Sequence, residues 1–331
     1  MPDKMTIDDI AEALGVSKTT VSRAISGKGR ISAATTARIR DYIEQHNYKP
    51  NVVARGLAQQ RTYNIGVVCP MDYEIFDLPF FHRCLHGISE VTAAAGYDIL
   101  LSMLEAQGHR NLQRIVEHRK VDGVVLTRTL LHDPVAEYLK RSGLPFVVIG
   151  SSPDPELVQI DNDHRNACCE LTSILLGKGM RKLALVGKDD HQIITETRRK
   201  GFEAAFVRAG LTADPALIYL RADNEHAVLT ILEDALARGA EGIVCMDERI
   251  ATMMLAACRE KGVRVPEDVR LASFYNSQAL DHSSPAITAV DVDDRKIGFT
   301  AARTLLELIE GREPGSQFLK NYKIILREST M

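Results

Sequence analysis

The chain has 331 residues, of which 45% are hydrophobic and 26% are charged, with a formal net charge of -3. This is ordinary globular composition, which excludes a largely disordered chain, and the length suffices for two compact domains. No stretch approaches 18 consecutive apolar residues and no apolar N-terminal segment precedes a cleavage site, so membrane spanning and secretion are disfavoured. The six cysteines are scattered without metal-ligand spacing, which is typical of buried thiols in a reducing compartment. We therefore expect a cytoplasmic protein.

The charge is divided unevenly along the chain. Residues 1–62 hold ten Lys and Arg against six Asp and Glu, a net charge of +4. The remaining residues hold 31 against 38, a net charge of -7. A small basic head on an acidic body indicates an anionic partner for the head alone.

The first fifty residues are predicted to form three short helices. Thr6 and Asp9 have the spacing of a capping box that begins the first helix, and Gly15 ends it with a tight turn. Ser17 is placed to cap a second helix, and Ser32 is placed to cap a third. Two helices joined by a short turn containing Gly, with a third bracing them, are typical of a helix-turn-helix domain.

The second helix, over residues 17–25, is rich in Ser, Thr and Val, which are mediocre helix formers. On a helical wheel one of its faces is polar and cationic, and the opposite face is small or apolar. The polar face suits the major groove of DNA, where Arg and Lys bind guanine and Thr contacts a base edge or a thymine methyl group. We predict four base-reading residues on it: Lys18, Thr19, Ser22 and Arg23. Hydroxyl and cationic residues near the helix starts are predicted to contact phosphates: Thr6, Ser17, Thr20, Lys28, Arg30 and Ser32. The alternative interpretation is a solvated cationic face on a small helical domain.

From residue 63 onward, short β-rich segments alternate with helical segments. The predicted strands lie at 63–69, 97–103, 121–126, 146–149, 183–186, 242–245, 269–274 and 322–327. The predicted helices between them include 80–95, 166–178, 198–209 and 249–261. This alternation predicts parallel sheets covered by helices on both faces. Because the units fall into two sets, 63–159 and 162–289, two doubly wound α/β lobes are favoured over one large sheet.

Common catalytic signatures are missing from the sequence. It contains no Gly-x-Ser-x-Gly, no His-Glu-x-x-His, no phosphate-binding P-loop and no Gly-x-Gly-x-x-Gly before a helix. We therefore expect no enzyme, no metal site and no cofactor.

Several motifs stand in the order and spacing of one known family. The head carries GVS, TVSR, NYKPN and ARGLA at residues 15–17, 20–23, 47–51 and 54–58. Sparser matches continue through the body at 79–81, 121–126, 160–163, 179–187, 199–211 and 265–274. On these motifs the chain resembles the LacI/GalR family of transcriptional repressors over nearly its whole length.

This resemblance implies a domain plan. A helix-turn-helix domain would occupy 1–50, a hinge helix and linker 51–62, and a periplasmic-binding-protein-like effector and dimerisation domain 63–331. Within the last, lobe one would comprise about 63–160 and 291–321, and lobe two about 162–290 and 322–331.

The resemblance also implies roles for residues that contact DNA. Lys18 and Thr19 take the two main base-reading positions, and Arg23 takes the third. Four hinge residues are implied: Asn51, Val53, Ala54 and Leu57. Leu57 would wedge into a central minor-groove step and bend the duplex, while Val53 and Ala54 would pair two hinge helices across a dimer axis.

The family's effector cleft transfers less directly. It implies eight lining residues: Phe80, Phe81, Arg128, Gly150, Arg198, Met246, Asp247 and Tyr275. Arg198 would contact the ligand, with a surface salt bridge as its alternative, and core packing is the alternative for the two phenylalanines. Gly150, Met246 and Tyr275 stand where many relatives carry Asp or Asn that hold sugar hydroxyls, which disfavours a plain neutral hexose.

The sequence therefore predicts a homodimeric repressor of a carbohydrate-utilisation operon. It would bind a palindromic operator and release it when a small-molecule effector fills the cleft. A modified or acidic sugar, a nucleoside or a protein co-regulator each fits the changed cleft as well. The rival classes are a solute-binding protein with the same body and a sugar-metabolising enzyme fused to a DNA-binding head.

Overall fold

The structure is a computed structural model that describes residues 5–27, 29–48, 56, 59–70, 79–104, 108–188 and 192–331. Its contacts divide the chain into two compact units, Met1–Thr62 and Tyr63–Met331. We call these units the head and the body. The finer domain boundaries implied by the sequence, at residue 50 and between the lobes, stay predictions. Among the described residues, no helix is both long enough and apolar enough to cross a membrane.

The described part of the head contains three helices: α1 (Ile7–Leu14), α2 (Lys18–Ser26) and α3 (Ala33–Gln45). They pack around a small apolar core in which Ile10, Val21 and Ile39 are almost completely buried. These three residues come from three different helices. Because this core draws on all three helices, α1, α2 and α3 pack as one unit.

The predicted helix starts are confirmed at all three caps. Thr6 and Asp9 form a capping box, with the Asp9 amide donating to Thr6 Oγ1 at 3.3 Å and the Thr6 amide donating to Asp9 Oδ2 at 2.7 Å. Ser17 caps α2 and Ser32 caps α3, because each hydroxyl accepts the amide three residues later at 3.1 Å. Gly15 ends α1 in the left-handed conformation, with φ of 62°, which makes the tight turn into α2.

The described body contains two six-stranded sheets. The first has the order β11-β5-β4-β3-β1-β2 and the second the order β12-β10-β9-β8-β6-β7. Strands of the first sheet are β1 (Asn64–Cys69), β2 (Asp98–Met103), β3 (Gly123–Leu126), β4 (Phe146–Ile149), β5 (Gln159–Asn162) and β11 (Gln317–Leu319). Strands of the second are β6 (Leu183–Val186), β7 (Ile218–Tyr219), β8 (Gly242–Cys245), β9 (Arg270–Ser273), β10 (Thr288–Val292) and β12 (Tyr322–Ile325).

Helices cover both sheets. Those described in the body are α4 (Pro79–Ala94), α5 (Arg110–Glu117), α6 (Pro134–Ser142), α7 (His164–Gly177), α8 (Ile193–Arg208), α9 (Glu225–Ala237), α10 (Glu248–Glu260), α11 (Gln278–Asp281) and α12 (Asp294–Ile309). The central strands β3 and β8 are buried along their whole length, as expected for strands covered on both faces. The prediction of two doubly wound lobes is confirmed, and we call the two sheets with their helices lobe one and lobe two.

The sheets depart from a purely parallel pattern at one place. All described strand pairs run parallel except β10 with β12, which is antiparallel in the register Val290 to Ile324. The chain enters lobe two after β5, returns after β10 and crosses again between β11 and β12. Only two residues separate β11 from β12, so the final strand reaches the second sheet without a covering helix.

The start of α8 differs most from its prediction. The sequence places this helix at 198–209, whereas it begins at Ile193 and ends at Arg208. Its N-cap residue Gln192 makes no side-chain capping hydrogen bond, so the local signal that marks most helix starts is missing here. Arg198 consequently lies in the second turn of the helix.

The two helices α4 and α12 cross at a pair of glycines. A β-carbon added to Gly298 would collide with the backbone of Cys84, and one added to Gly87 would collide with the backbone of Arg295 and Phe299. Because backbone atoms of packed helices have little room to move, each glycine sets the distance between these helices.

Substitution of Gly298 by Ala is expected to lower the free energy of unfolding by about 2 kcal/mol, because overpacking outweighs the ~1 kcal/mol gain in helix propensity. Gly177→Ala is the matched control, since an added β-carbon there meets nothing within 4 Å. It should leave stability unchanged or raise it. Urea unfolding of the full chain measures both, and equal effects would contradict the assigned close approach.

Candidate nucleic-acid interface and ligand cavity

The outward face of α2 brings the four predicted base-reading residues together. Lys18, Thr19, Ser22 and Arg23 are all exposed, while Val21 and Ala24 on the opposite face are buried in the head. The short side chains of Thr19 and Ser22 allow this face to approach the base edges in a DNA groove. The cations of Lys18 and Arg23 are attracted to the negatively charged DNA. Base contacts by these residues stay a prediction.

Lys18 is held by a weak contact. Its ammonium lies 2.7 Å from Asp8 Oδ2, but the side chains of both residues are more than 60% exposed. Ion pairs this exposed contribute little to stability, so Lys18 can leave Asp8 for a base edge at little cost.

The described members of the predicted phosphate-contacting set lie at or near the helix starts. The hydroxyls of Thr6, Ser17 and Ser32 serve as caps, and Thr20 Oγ1 lies 2.8 Å from Ser17 Oγ. Arg30 is exposed. Lys28 and the hinge residues Asn51, Val53, Ala54 and Leu57 lie outside the described residues.

A cavity of about 190 Å³ lies between the two lobes of the body. It sits at the carboxyl ends of the parallel strands, where open α/β sheets bind their ligands. All eight predicted effector residues line it: Phe80, Phe81, Arg128, Gly150, Arg198, Met246, Asp247 and Tyr275. The fold therefore brings this set together, and contact of each member with a ligand stays a prediction.

Arg198 is the electrostatic centre of the cavity. Its Nη1 donates to the backbone oxygen of Met246 at 2.6 Å. Among the residues that the structure describes, Arg198 forms no ion pair, and its ligand role stays a prediction. Burial raises the pKa of Asp161 to about 6 and that of Glu248 to about 7, and the Arg198 charge opposes both shifts. The Arg198 guanidinium thus offsets part of the effect of burial on the pKa values of two carboxyls.

Asp161 is fixed by a small polar network. Its carboxylate accepts hydrogen bonds from Ser151 Oγ at 2.7 Å and from the Asn162 amide at 2.8 Å. His164 Nε2 lies 3.5 Å from the same carboxylate, yet burial lowers the pKa of His164 to about 3 and keeps the imidazole neutral. Asp161 is therefore held in one orientation at the cavity wall.

Tyr275 connects the cavity to the crossover between lobes. Its buried hydroxyl donates to Asp294 Oδ2 at the start of α12, and Arg83 Nη1 of α4 lies 3.7 Å from the same oxygen. Burial raises the pKa of Asp294 to about 7, and Asp294 Oδ1 is buried without a hydrogen-bond partner among the described residues. A side chain that lines the cavity thus contacts the element that returns the chain to lobe one.

Other predicted effector residues also have structural roles. Asp247 caps α10 by accepting the Ile250 amide at 2.8 Å. Phe81 is buried and meets Phe80 edge-on at 5.0 Å, while Phe80 packs against the cores of both lobes. Gly150 has a left-handed φ of 109°, which favours glycine.

Sequence reasoning missed the carboxyl groups around Arg198. Asp161, Glu248 and Asp294 were not predicted as site residues, and neither was His164. A usable signal exists for three of them, because Asp161 is the penultimate residue of β5, His164 begins the following helix, and Glu248 follows β8. Polar residues at the carboxyl end of a parallel strand mark this edge of a sheet.

Family models match both units of the chain. The model described as bacterial regulatory proteins, lacI family, matches residues 6–51, and that of the periplasmic binding protein-like domain matches residues 172–330. The chain belongs to the LacI family of transcriptional regulators. This membership confirms the predicted DNA-binding regulator, and it assigns the protein to a class of regulators rather than enzymes.

Relatives of this LacI-family regulator match it from end to end. The HTH-type transcriptional regulator RegA of Clostridium saccharobutylicum is 29% identical over 98% of this chain and 99% of its own length. A structure of the transcriptional regulator CelR in complex with cellobiose has a TM-score of 0.75, with 24% identity over 98% of this chain and 99% of that one. A structure of the lac repressor dimer bound to operator has a TM-score of 0.80, with 21% identity over 99% of this chain and 100% of that one. The two structures confirm the fold.

Proposed function

We propose that this regulator is a homodimeric repressor of a carbohydrate-utilisation operon, released from a palindromic operator by a small-molecule effector. The observation that carries the DNA-binding half is the α2 face, on which four exposed polar and cationic side chains stand over a buried apolar face. The lac repressor structure was obtained as a dimer on its operator, which supports the same assembly for this chain. As a regulator acting on bacterial operators, it would work in the cytoplasm.

The cavity supports the effector half of the proposal. Its lining joins residues of both lobes, and an isolated bridge between Leu130 and Gln192 links the lobes beside it. A ligand that contacts both lobes stabilises one arrangement of the lobes relative to another. In the proposed mechanism the two arrangements differ in operator affinity, so ligand binding changes the affinity for DNA. The CelR complex holds cellobiose, which makes a sugar the first candidate class, while a nucleoside, a sugar acid or a protein co-regulator remains an alternative.

The hinge completes the proposed mechanism. Residues Asn51, Val53, Ala54 and Leu57 would form a helix on the operator, with Leu57 wedged at its centre. Effector binding would separate the paired hinges and weaken the complex with DNA.

Selection of duplexes from a random-sequence pool, followed by mobility shift of the selected duplex, tests the proposal. We expect an enriched inverted repeat bound by a dimer. Enrichment of no inverted repeat would overturn the repressor assignment, and so would a monomer bound to a single half-site. A solute-binding protein, the rival with the same body, predicts no enrichment at all.

Substitution of Lys18 by Ala is expected to reduce the preference for the selected operator over a scrambled duplex by about 1–3 kcal/mol, because a lost base contact removes discrimination. Arg40→Ala on α3 is the control, since Arg40 is exposed and carries the same charge. It should weaken both duplexes alike, as the loss of a purely electrostatic contribution does. Mobility shift at fixed salt measures the ratio. A Lys18 variant with an unchanged ratio would remove this residue from the base-reading set.

A further inference from the structure

The loop after β3 positions a cation at the cavity wall. Thr127 Oγ1 donates to the backbone oxygen of Val68 at 2.8 Å, and Thr129 Oγ1 donates to that of Ser151 at 2.5 Å. Arg128 lies between these two anchored threonines, and its partly buried side chain lines the cavity. The fold itself therefore fixes the backbone that carries this guanidinium.

Arg128 makes no hydrogen bond or ion pair with the residues that the structure describes. The acids of the same cavity are placed elsewhere. Asp161 accepts hydrogen bonds from Ser151 and Asn162, and Asp247 caps α10. Glu248 interacts electrostatically with Arg198, whose charge opposes the rise of the Glu248 pKa, and Asp223 is exposed. No described carboxylate of the cavity is therefore committed to Arg128.

A second donor in the cavity also lacks an acceptor. Arg198 uses Nη1 for the backbone oxygen of Met246, but its Nε is buried and has no hydrogen-bond partner among the described residues. A buried donor without an acceptor costs about 1–3 kcal/mol, more when it is charged. Relative to the described residues, the cavity thus offers the guanidinium of Arg128 and the Nε–H of Arg198 without acceptors.

We propose that the effector carries an anionic group, a carboxylate or a phosphate, that pairs with Arg128, and a further oxygen that accepts from Arg198 Nε. Charge-assisted hydrogen bonds from guanidinium to carboxylate or phosphate are the strong pairings available to these donors. Gly150 adds no side chain beside Thr129, which leaves this wall open. The inference rests on the proposed function, because it names the chemistry of the effector.

Calorimetric titration of the full chain tests this inference with three hexoses: glucose, galactose and mannose. Each is offered as the neutral sugar, the uronate and the 6-phosphate, so that the charge changes on one scaffold. We expect at least one uronate or 6-phosphate to bind at least tenfold more tightly than its neutral parent. The stronger of the two charged forms identifies the group as carboxylate or phosphate.

The Arg128→Gln variant locates the anion. The ratio of charged to neutral affinity should fall at least tenfold, while Arg141→Gln, an exposed Arg of α6 outside the cavity lining, should leave it unchanged. Equal binding of charged and neutral forms, binding of no charged form, or an unchanged ratio in Arg128→Gln would overturn the inference. Mobility shift with the selected operator runs in parallel. Operator binding without anion binding would contradict this inference alone. Anion binding without operator binding would contradict the proposed function.

Discussion

Replacement of Arg198 by Met is expected to lower the free energy of unfolding by about 3 kcal/mol at pH 8, and by much less at pH 5. The reason is the pair of buried carboxyls beside it. With pKa values of about 6 for Asp161 and about 7 for Glu248, both are ionised at pH 8 and largely protonated at pH 5. Removal of the guanidinium at pH 8 leaves two buried negative charges without the positive charge that opposes their pKa shifts.

The sign of the pH dependence follows from proton binding. Without Arg198 the carboxyl pKa values in the folded state rise further above their unfolded values. The folded state then holds its protons to higher pH, so more stability is lost as pH rises. Urea unfolding of the full chain at pH 5 and pH 8 measures this difference.

Lys200→Met on the same helix is the control for the Arg198 variant. Lys200 is 57% exposed and pairs with Glu196 at 3.2 Å, so its loss should change stability by under about 1 kcal/mol at either pH. An equal loss at both pH values in Arg198→Met would contradict the electrostatic role. It would assign the cost to packing and to the hydrogen bond with Met246.

The structural role of Arg198 changes how a ligand role can be tested. A variant that loses its effector response through Arg198 has also lost the charge that offsets Asp161 and Glu248. Arg128 has no such partner in the described structure, so a change there reports ligand contact more directly. Arg198, which the family resemblance emphasised, is therefore a less specific probe of ligand contact than Arg128.

Much of the fold was predictable because its signals are local. Caps such as Thr6, Ser17 and Ser32 each depend on a residue and the amide three positions later, and the structure confirms all three. Buried parallel strands read as short apolar segments, and β4, β6 and β8 have the predicted bounds. The antiparallel pairing of β12 with β10 has no comparable local signal, because register between distant strands depends on tertiary packing.

The candidate site was predictable only in outline. The family motifs indicate eight residues that meet in one cavity, but the buried carboxyls around Arg198 depend on contacts between distant segments. Asp294 lies 19 residues from Tyr275 and more than 200 from Arg83, yet these three side chains meet at the crossover. Burial gives these groups their perturbed pKa values, and burial is a property of the assembled lobes rather than of any short segment.

Asp294→Asn is expected to raise the free energy of unfolding at pH 8 by about 2–4 kcal/mol, because it removes a buried charge and keeps an acceptor for Tyr275. Asp294 is 1% exposed and its pKa is raised to about 7 by burial, against a usual value of 3.8. Well below pH 3.8 the carboxyl is protonated in both states. Between pH 4 and pH 7 the unfolded state loses the proton first, so the native protein loses stability that the Asn variant retains.

The measurement is the difference between Asp294→Asn and the unaltered chain in urea unfolding at pH 5 and pH 8. This difference reports the charge of Asp294 together with its repulsion of Glu248, since Asp161 and Glu248 are present in both proteins. Tyr275→Phe completes a double-mutant cycle, because loss of the hydroxyl should cost about 2 kcal/mol beside the carboxylate and about 1 kcal/mol beside the amide. If Asp294→Asn is instead the less stable protein at pH 8, attraction to Arg83 and Arg198 outweighs burial. An ionised Asp294 would then stabilise the crossover, and the link from Tyr275 to lobe one would gain rather than lose stability as pH rises.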